Sequence, residues 1–262
     1  MEYGTLLFEI DAGVARIILN RPDAANALNL DLVRELSDVA LRCDEDRSVR
    51  AVVIGSQGRF FCSGGDLASF RGAADAMPFA IKEIATNLHT AISRFARMRA
   101  PVVMAVAGTA AGAGMSLACS GDLAVAGESV KLTLAYTGVG LTPDGSSTWF
   151  LPRLIGSRRF LELALTNRTL SAQEALSWGL VNEVVADDAV VERAGEMARR
   201  LASGPTEAYG ITKRLVLSSF VESLESQMEL EGRGIADAAR TADAREGVEA
   251  FFAKRKPSFE GE

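Results

Sequence analysis

The chain has no long apolar run, no basic cluster and only one histidine, and each shortage narrows what it can be. No apolar stretch is long enough to span a bilayer and no secretory leader is visible, so a soluble, cytoplasmic protein is expected. Lys and Arg together number 28 against 34 Asp and Glu, a formal net charge of −6. With no Lys/Arg-rich stretch anywhere, that balance argues against a nucleic-acid binder. The three cysteines, Cys43, Cys62 and Cys119, lack the spacing of a metal site and cannot all pair, which points to a reducing compartment and to no bound metal. Internal repeats and low-complexity tracts are absent. What remains is 262 residues, 48% of them hydrophobic, enough for one large domain or for one domain with a helical appendage.

Two stretches of one kind stand out. Ala51-Val52-Val53-Ile54-Gly55-Ser56 is short and apolar enough to be a buried strand, and Phe60 to Leu67 follows as a glycine-bearing turn that leads toward a helix. Further on, Val102-Val103-Met104-Ala105-Val106 is a second such strand. The small residues Gly108 to Gly114 then pass into Met115-Ser116-Leu117-Ala118-Cys119, the first turns of a helix. A strand that feeds a helix through small residues leaves unpaired N–H groups at the helix start, and small side chains let a ligand approach them. An anion, or a carbonyl oxygen about to become one, is the natural guest. Two such turns can offer one N–H each to the same oxygen.

Elsewhere the patterns are ordinary. Leu6 to Ile10 and Val14 to Leu19, joined at Asp11-Ala12-Gly13, form a β-hairpin. Residues 23–29 make a loop whose alanines Ala24, Ala25 and Ala27 permit close approach of a flat ligand. Helical spacing runs from Leu30 to Cys43 and from residue 80 to 98, and His89 borders the buried face of the second helix. Residues 68–79 show weak periodicity and are expected to be a mobile cover over a pocket. Residues 123–126 and 130–134 are strand-like, Asp122 is expected to be structural, and a helix starts at Pro143-Asp144-Gly145-Ser146-Ser147. Ser171 with Glu174 is a capping box for a short helix that Gly179 closes. Beyond about Asp187 only helices follow, at 188–202, 205–218, 221–240 and 243–255. Gly204-Pro205 divides a core, residues 1–203, from a helical region, residues 204–262. Alternating strands and helices indicate an α/β fold.

Several of these segments together resemble the crotonase, or enoyl-CoA hydratase/isomerase, superfamily. They are Asn20-Arg21-Pro22 with Asn26 to Asn29, Phe61 to Leu67, the glycine turn 108–114, and Gly140-Leu141-Thr142-Pro143-Asp144. Ser171 to Ala175 with Trp178 to Val181 follows, then Phe251 with Lys254 and Arg255. They occur in family order over nearly the whole chain. The resemblance implies a spiral of ββα units with a C-terminal helical region that builds trimers, which can pair into hexamers. It implies an acyl-CoA thioester substrate, coenzyme A being part of the substrate rather than a separate cofactor. The N–H groups of Ser63 and Ala113 would form an oxyanion hole. Ala24, Ala25 and Ala27 with Ser63, Gly64, Gly65, Asp66 and Leu67 would hold the CoA, and Phe251 and Lys254 would reach a neighbouring subunit's site.

Hydratases of the family use two glutamates, and the corresponding positions here are Ser116 and Tyr136. Neither suits acid–base work on water at neutral pH, so simple hydration is disfavoured. Asp144 is the substitute, although taken alone it reads as a helix cap. Two branches of the family carry an aspartate there. The ring-isomerases of the phenylacetyl-CoA pathway resemble this chain through Pro143 to Arg153. The 4-chlorobenzoyl-CoA dehalogenases resemble it through Asp144 as nucleophile, His89 as base, and Tyr136 where that branch has tryptophan. The expected function is therefore an acyl-CoA isomerase with Asp144 as proton shuttle. A dehalogenase-like hydrolase, a generic enoyl-CoA hydratase and a non-catalytic acyl-CoA-binding protein are the alternatives.

Overall fold

The computed structural model describes residues 3–262. Ten strands lie in two sheets. They are β1 (Leu6–Asp11), β2 (Val14–Leu19), β3 (Ala51–Ser56), β4 (Phe60–Cys62), β5 (Val102–Val106), β6 (Thr109–Ala111), β7 (Leu123–Gly127), β8 (Lys131–Thr133), β9 (Leu170–Ser171) and β10 (Glu183–Val185). The larger sheet has the order β1-β2-β3-β5-β7-β10 and the smaller the order β4-β6-β8-β9. From β2 to β10 the larger sheet is parallel, with β1 closing one edge as the antiparallel arm of the expected hairpin. The hairpin turns through Ala12 and Gly13, both at positive φ.

The pairs β3/β4, β5/β6 and β7/β8 each send one strand to each sheet before the chain enters a helix. This is the ββα repeat that the resemblance implied. Its inner strands are apolar on both faces, as parallel strands covered on both sides must be. In β3, Val52 and Ile54 pack into one core with the helices Leu30–Glu45 and Met77–Arg97, whereas Ala51 and Val53 pack into a second core against the helix Val190–Ala202.

The remaining helices match the periodicity within a few residues at their ends, with two differences. Segment 68–79 holds a short helix, Leu67–Gly72, capped by the Asp66 side chain, then a 3₁₀ turn, Ala74–Ala76, and the long helix begins at Met77 rather than 80. The parts of the small sheet at 60–62 and 109–111, read as turns from sequence, are three-residue strands held by each other. The capping box at Ser171 and Glu174 is formed with both reciprocal bonds, and Gly179 follows it at φ +79°.

Beyond Gly204-Pro205 lie the helices Thr206–Ser218, Leu224–Ala238 and Ala242–Phe252. The first is pinned to the core by Lys213, whose Nζ lies 2.6 Å from Asp122 Oδ2 and donates to the carbonyls of Phe95 and Ala100. Asp122 also accepts from the Val102 N–H, so it is structural. Among the described residues no helix is long and apolar enough to cross a membrane.

Candidate active site

Because β4 and β6 are parallel neighbours, the turns that follow them leave the small sheet side by side. Gly64 sits at φ +98°, and a Cβ there would lie 2.9 Å from the Ala111 carbonyl oxygen and 3.4 Å from the Ala113 nitrogen. Gly114 is tighter still, because its Cβ would overlap the Cys62 carbonyl. The glycines are thus required first by one turn's contact with the other. Between the turns opens a cavity of about 270 Å³, lined by both turns and by Leu28, Leu67, Phe70, Leu88, Tyr136 and Asp144, among others.

The expected pair of N–H donors needs one correction. The N–H of Ser63 donates to the carbonyl of Ala25 at 3.0 Å and is not free for a ligand. That of Gly64 faces the Cys62 sulfur. The N–H groups of Gly65 and Ala113 make no hydrogen bond to any described residue, and both residues line the cavity. The N–H groups left open on the cavity wall are therefore those of Gly65 and Ala113, not that of Ser63. Ser63 lines the cavity only as a wall residue.

The carbonyl that takes up Ser63 belongs to the loop 21–29, which Asn26 organises. Asn26 is fully buried; its Oδ1 accepts from the Arg21 N–H, and its Nδ2 donates to the carbonyls of Gln57 and Phe60, all at 2.8 Å. Ala25 and Asn26 both take positive φ, for which asparagine is better suited than most residues. Asn26 was visible only as part of a motif, because two of its three partners, the carbonyls of Gln57 and Phe60, lie on other segments. Ala24, Ala25 and Ala27 form this loop without lining the cavity, whereas the adjoining Leu28 does line it and donates its N–H to the Gly64 carbonyl at 2.7 Å. Asp66 does not line it either. Its carboxylate caps the helix Leu67–Gly72 through the Ser69 N–H and pairs with Arg21 at 3.2 Å. Leu67 stands half exposed at the rim. Phe251 and Lys254 are exposed at the end of the last helix and do not line this cavity within the single chain.

Among the described residues Asp144 is the sole carboxyl on the cavity wall. It is not the cap of the helix Ser147–Ile155; the cap position is Ser146 at φ +67°, with no side-chain cap bond. The Asp144 main-chain carbonyl instead accepts from the N–H and hydroxyl of Ser147, and its Oδ1 accepts from the Tyr136 hydroxyl at 2.6 Å. Tyr136 Oη lies 2.9 Å from Ser116 Oγ. Since tyrosine gives its single proton to Asp144, Ser116 donates to Tyr136. Burial, then the charge of Asp144, push the Tyr136 hydroxyl far above its usual range, so it remains a donor. Among the described residues none hydrogen-bonds Asp144 Oδ2.

His89, expected as a possible base, does not line this cavity. It is exposed to a neighbouring cavity of about 590 Å³ that shares the Asp144 wall, and its Nε2 accepts from the Gly145 N–H at 3.0 Å.

The family described as enoyl-CoA hydratase/isomerase matches residues 9–262. The 1,2-epoxyphenylacetyl-CoA isomerase of Escherichia coli (strain K12) is 36% identical over 98% of this chain and 98% of its own length. The 4-chlorobenzoyl coenzyme A dehalogenase-2 of Arthrobacter sp. is 36% identical over 85% of this chain and 81% of its own. Among solved structures, an enoyl-CoA hydratase from Bacillus anthracis superposes with a TM-score of 0.92 at 31% identity, covering 99% of this chain and all of that one. The two branches suggested by the Asp144 motif are thus both represented, and the spiral of ββα units is the crotonase fold. With a match from residue 9 to the last and the same fold at that score, the chain belongs to the enoyl-CoA hydratase/isomerase family, the crotonase superfamily.

Proposed function

We propose that this crotonase-family enzyme is an acyl-CoA thioester isomerase in which Asp144 moves a proton from one carbon of the acyl group to another. The thioester carbonyl sits between the N–H groups of Gly65 and Ala113. Asp144 Oδ2 takes a proton from a carbon acidified by that carbonyl, and the C–H electron pair moves onto the thioester oxygen as an enolate. Two N–H donors aimed at that oxygen stabilise the enolate, each worth roughly 10²–10³ in rate by the precedent of other oxyanion holes. Return of the proton to a different carbon shifts a C=C bond or reorganises a strained ring, with no net gain or loss of atoms.

The observation that carries this reading is the single carboxylate on the cavity wall, fixed through Oδ1 by Tyr136 and open at Oδ2. Hydration would call for a second acid–base group, and the two positions that would supply it hold Ser116 and Tyr136, neutral and bonded to each other. A dehalogenase-like reaction would call for a histidine free to activate water, and the Nε2 of His89 is already an acceptor for Gly145. Phe251 and Lys254 belong, on the same reading, to the CoA site of a neighbouring subunit in a trimer.

A panel of enoyl- and aryl-CoA thioesters in deuterated water tests it. Turnover should be accompanied by C–D formation without halide release. Asp144→Asn should lower kcat by roughly 10²–10⁴-fold, the scale of lost general-base catalysis, with CoA affinity nearly intact. Full activity in Asp144→Asn, or halide release with solvent oxygen in the product, refutes the proposal.

A further inference from the structure

We infer that His89 is a positioning residue for Asp144: its neutral ring latches the 144–146 loop through the Gly145 N–H, and protonation of the ring releases it. The inference rests on the reading of Asp144 as the base. The loop spends two consecutive residues in the left-handed region, Gly145 at φ +57° and Ser146 at φ +67°. Such a conformation persists where the surroundings over-determine it. Gly145 is buried, and a Cβ there would lie 2.8 Å from Ser116 Cβ and 3.4 Å from Leu88 Cδ2, so its peptide is wedged between the helices Ala113–Ala118 and Met77–Arg97. The N–H of that wedged peptide has one acceptor, His89 Nε2, at 3.0 Å. Remove the acceptor and a buried N–H is orphaned beside the catalytic carboxylate.

A ring that accepts at Nε2 carries its proton on Nδ1, and a second proton can go only to Nε2. That turns the acceptor into a donor pointed at another donor. The ring is solvent-exposed in the outer cavity, so bulk pH reaches it. The charged groups around it are Asp144 from the loop, Arg94 and Arg97 from its own helix, Asp44 from the helix Leu30–Glu45, and Arg214 from the helix Thr206–Ser218.

His89 is the only histidine in the chain, so in whole enzyme labelled with ¹⁵N-histidine and ¹⁵N-glycine the ring signals belong to it alone and the Gly145 amide is visible beside them. At neutral pH the ring should be protonated at Nδ1 and bare at Nε2, and on acidification the Gly145 amide signal should move with the same midpoint as the ring nitrogens. His89→Leu should lower kcat by roughly ten- to a hundredfold, the cost of a misplaced catalytic group, with KM little changed. In His89→Gln the amide oxygen can accept from Gly145. This variant should recover most of that loss, and the fall of kcat on the acid side should move to lower pH. A ring protonated at Nε2 in neutral solution, an unchanged kcat in His89→Leu, or a His89→Gln enzyme as impaired as His89→Leu overturns the latch. If instead Asp144→Asn keeps full turnover, the isomerase reading fails, while the ring tautomer and the Gly145 titration still decide the latch.

Discussion

Replacing Gly64 by alanine probes the joint on which the proposed oxyanion donors depend. Gly64 holds φ +98°, beyond the left-handed region that other residues reach, and forcing a side chain there costs about 1–3 kcal/mol. The added methyl would sit 2.9 Å from the carbonyl oxygen of Ala111, which is backbone and cannot rotate away. Overpacking of that kind costs a further 1–3 kcal/mol or so. The two turns must therefore part, and the N–H groups of Gly65 and Ala113 can no longer converge on one oxygen. Loss of one donor in such a hole lowers kcat by about 10²–10³-fold. Gly72→Ala is the control, because a Cβ there meets nothing within 4 Å, and its stability should change by no more than about 1 kcal/mol. Urea unfolding followed by circular dichroism separates folding from function, and steady-state turnover of an isomerised acyl-CoA gives kcat and KM. A folded Gly64→Ala enzyme with wild-type kcat refutes the proposed donors.

Two further outcomes concern groups away from the reaction. Burial works against both charges of the Asp122–Lys213 pair, raising the carboxyl and lowering the ammonium, and each charge opposes that shift in its partner 2.6 Å away. Lys213→Met leaves the partly exposed Asp122 without its counter-charge and the carbonyls of Phe95 and Ala100 without a donor, and should destabilise the fold by about 1–3 kcal/mol in urea unfolding; a variant as stable as the parent contradicts the role given to the pair. Burial pushes the thiols of Cys43, Cys62 and Cys119 up to about 12, so the native enzyme should resist a disulfide reagent at pH 8 and all three thiols should react on unfolding. Prompt labelling of native protein contradicts that burial.

What the sequence made legible is what local chemistry decides. The apolar strands β3, β5 and β7, the hairpin and the capping box at Ser171 each carry their signal within a few residues, and all are found. The strands β4 and β6 have three residues each and no period to detect; they exist because each pairs with the other. The site divides the same way. Two glycine turns and an aspartate after proline can be read from motifs, but which N–H groups stay free cannot, since Ser63 is lost to a carbonyl of the loop that Asn26 holds. Nor does helical periodicity tell what a boundary histidine touches. His89 lies at the edge of an amphipathic helix, and only the wedged loop across from it turns that edge position into an acceptor for Gly145. Which motif residues offer a free group to the cavity is thus decided by the hydrogen bonds that the turns make with one another and with the loop 21–29.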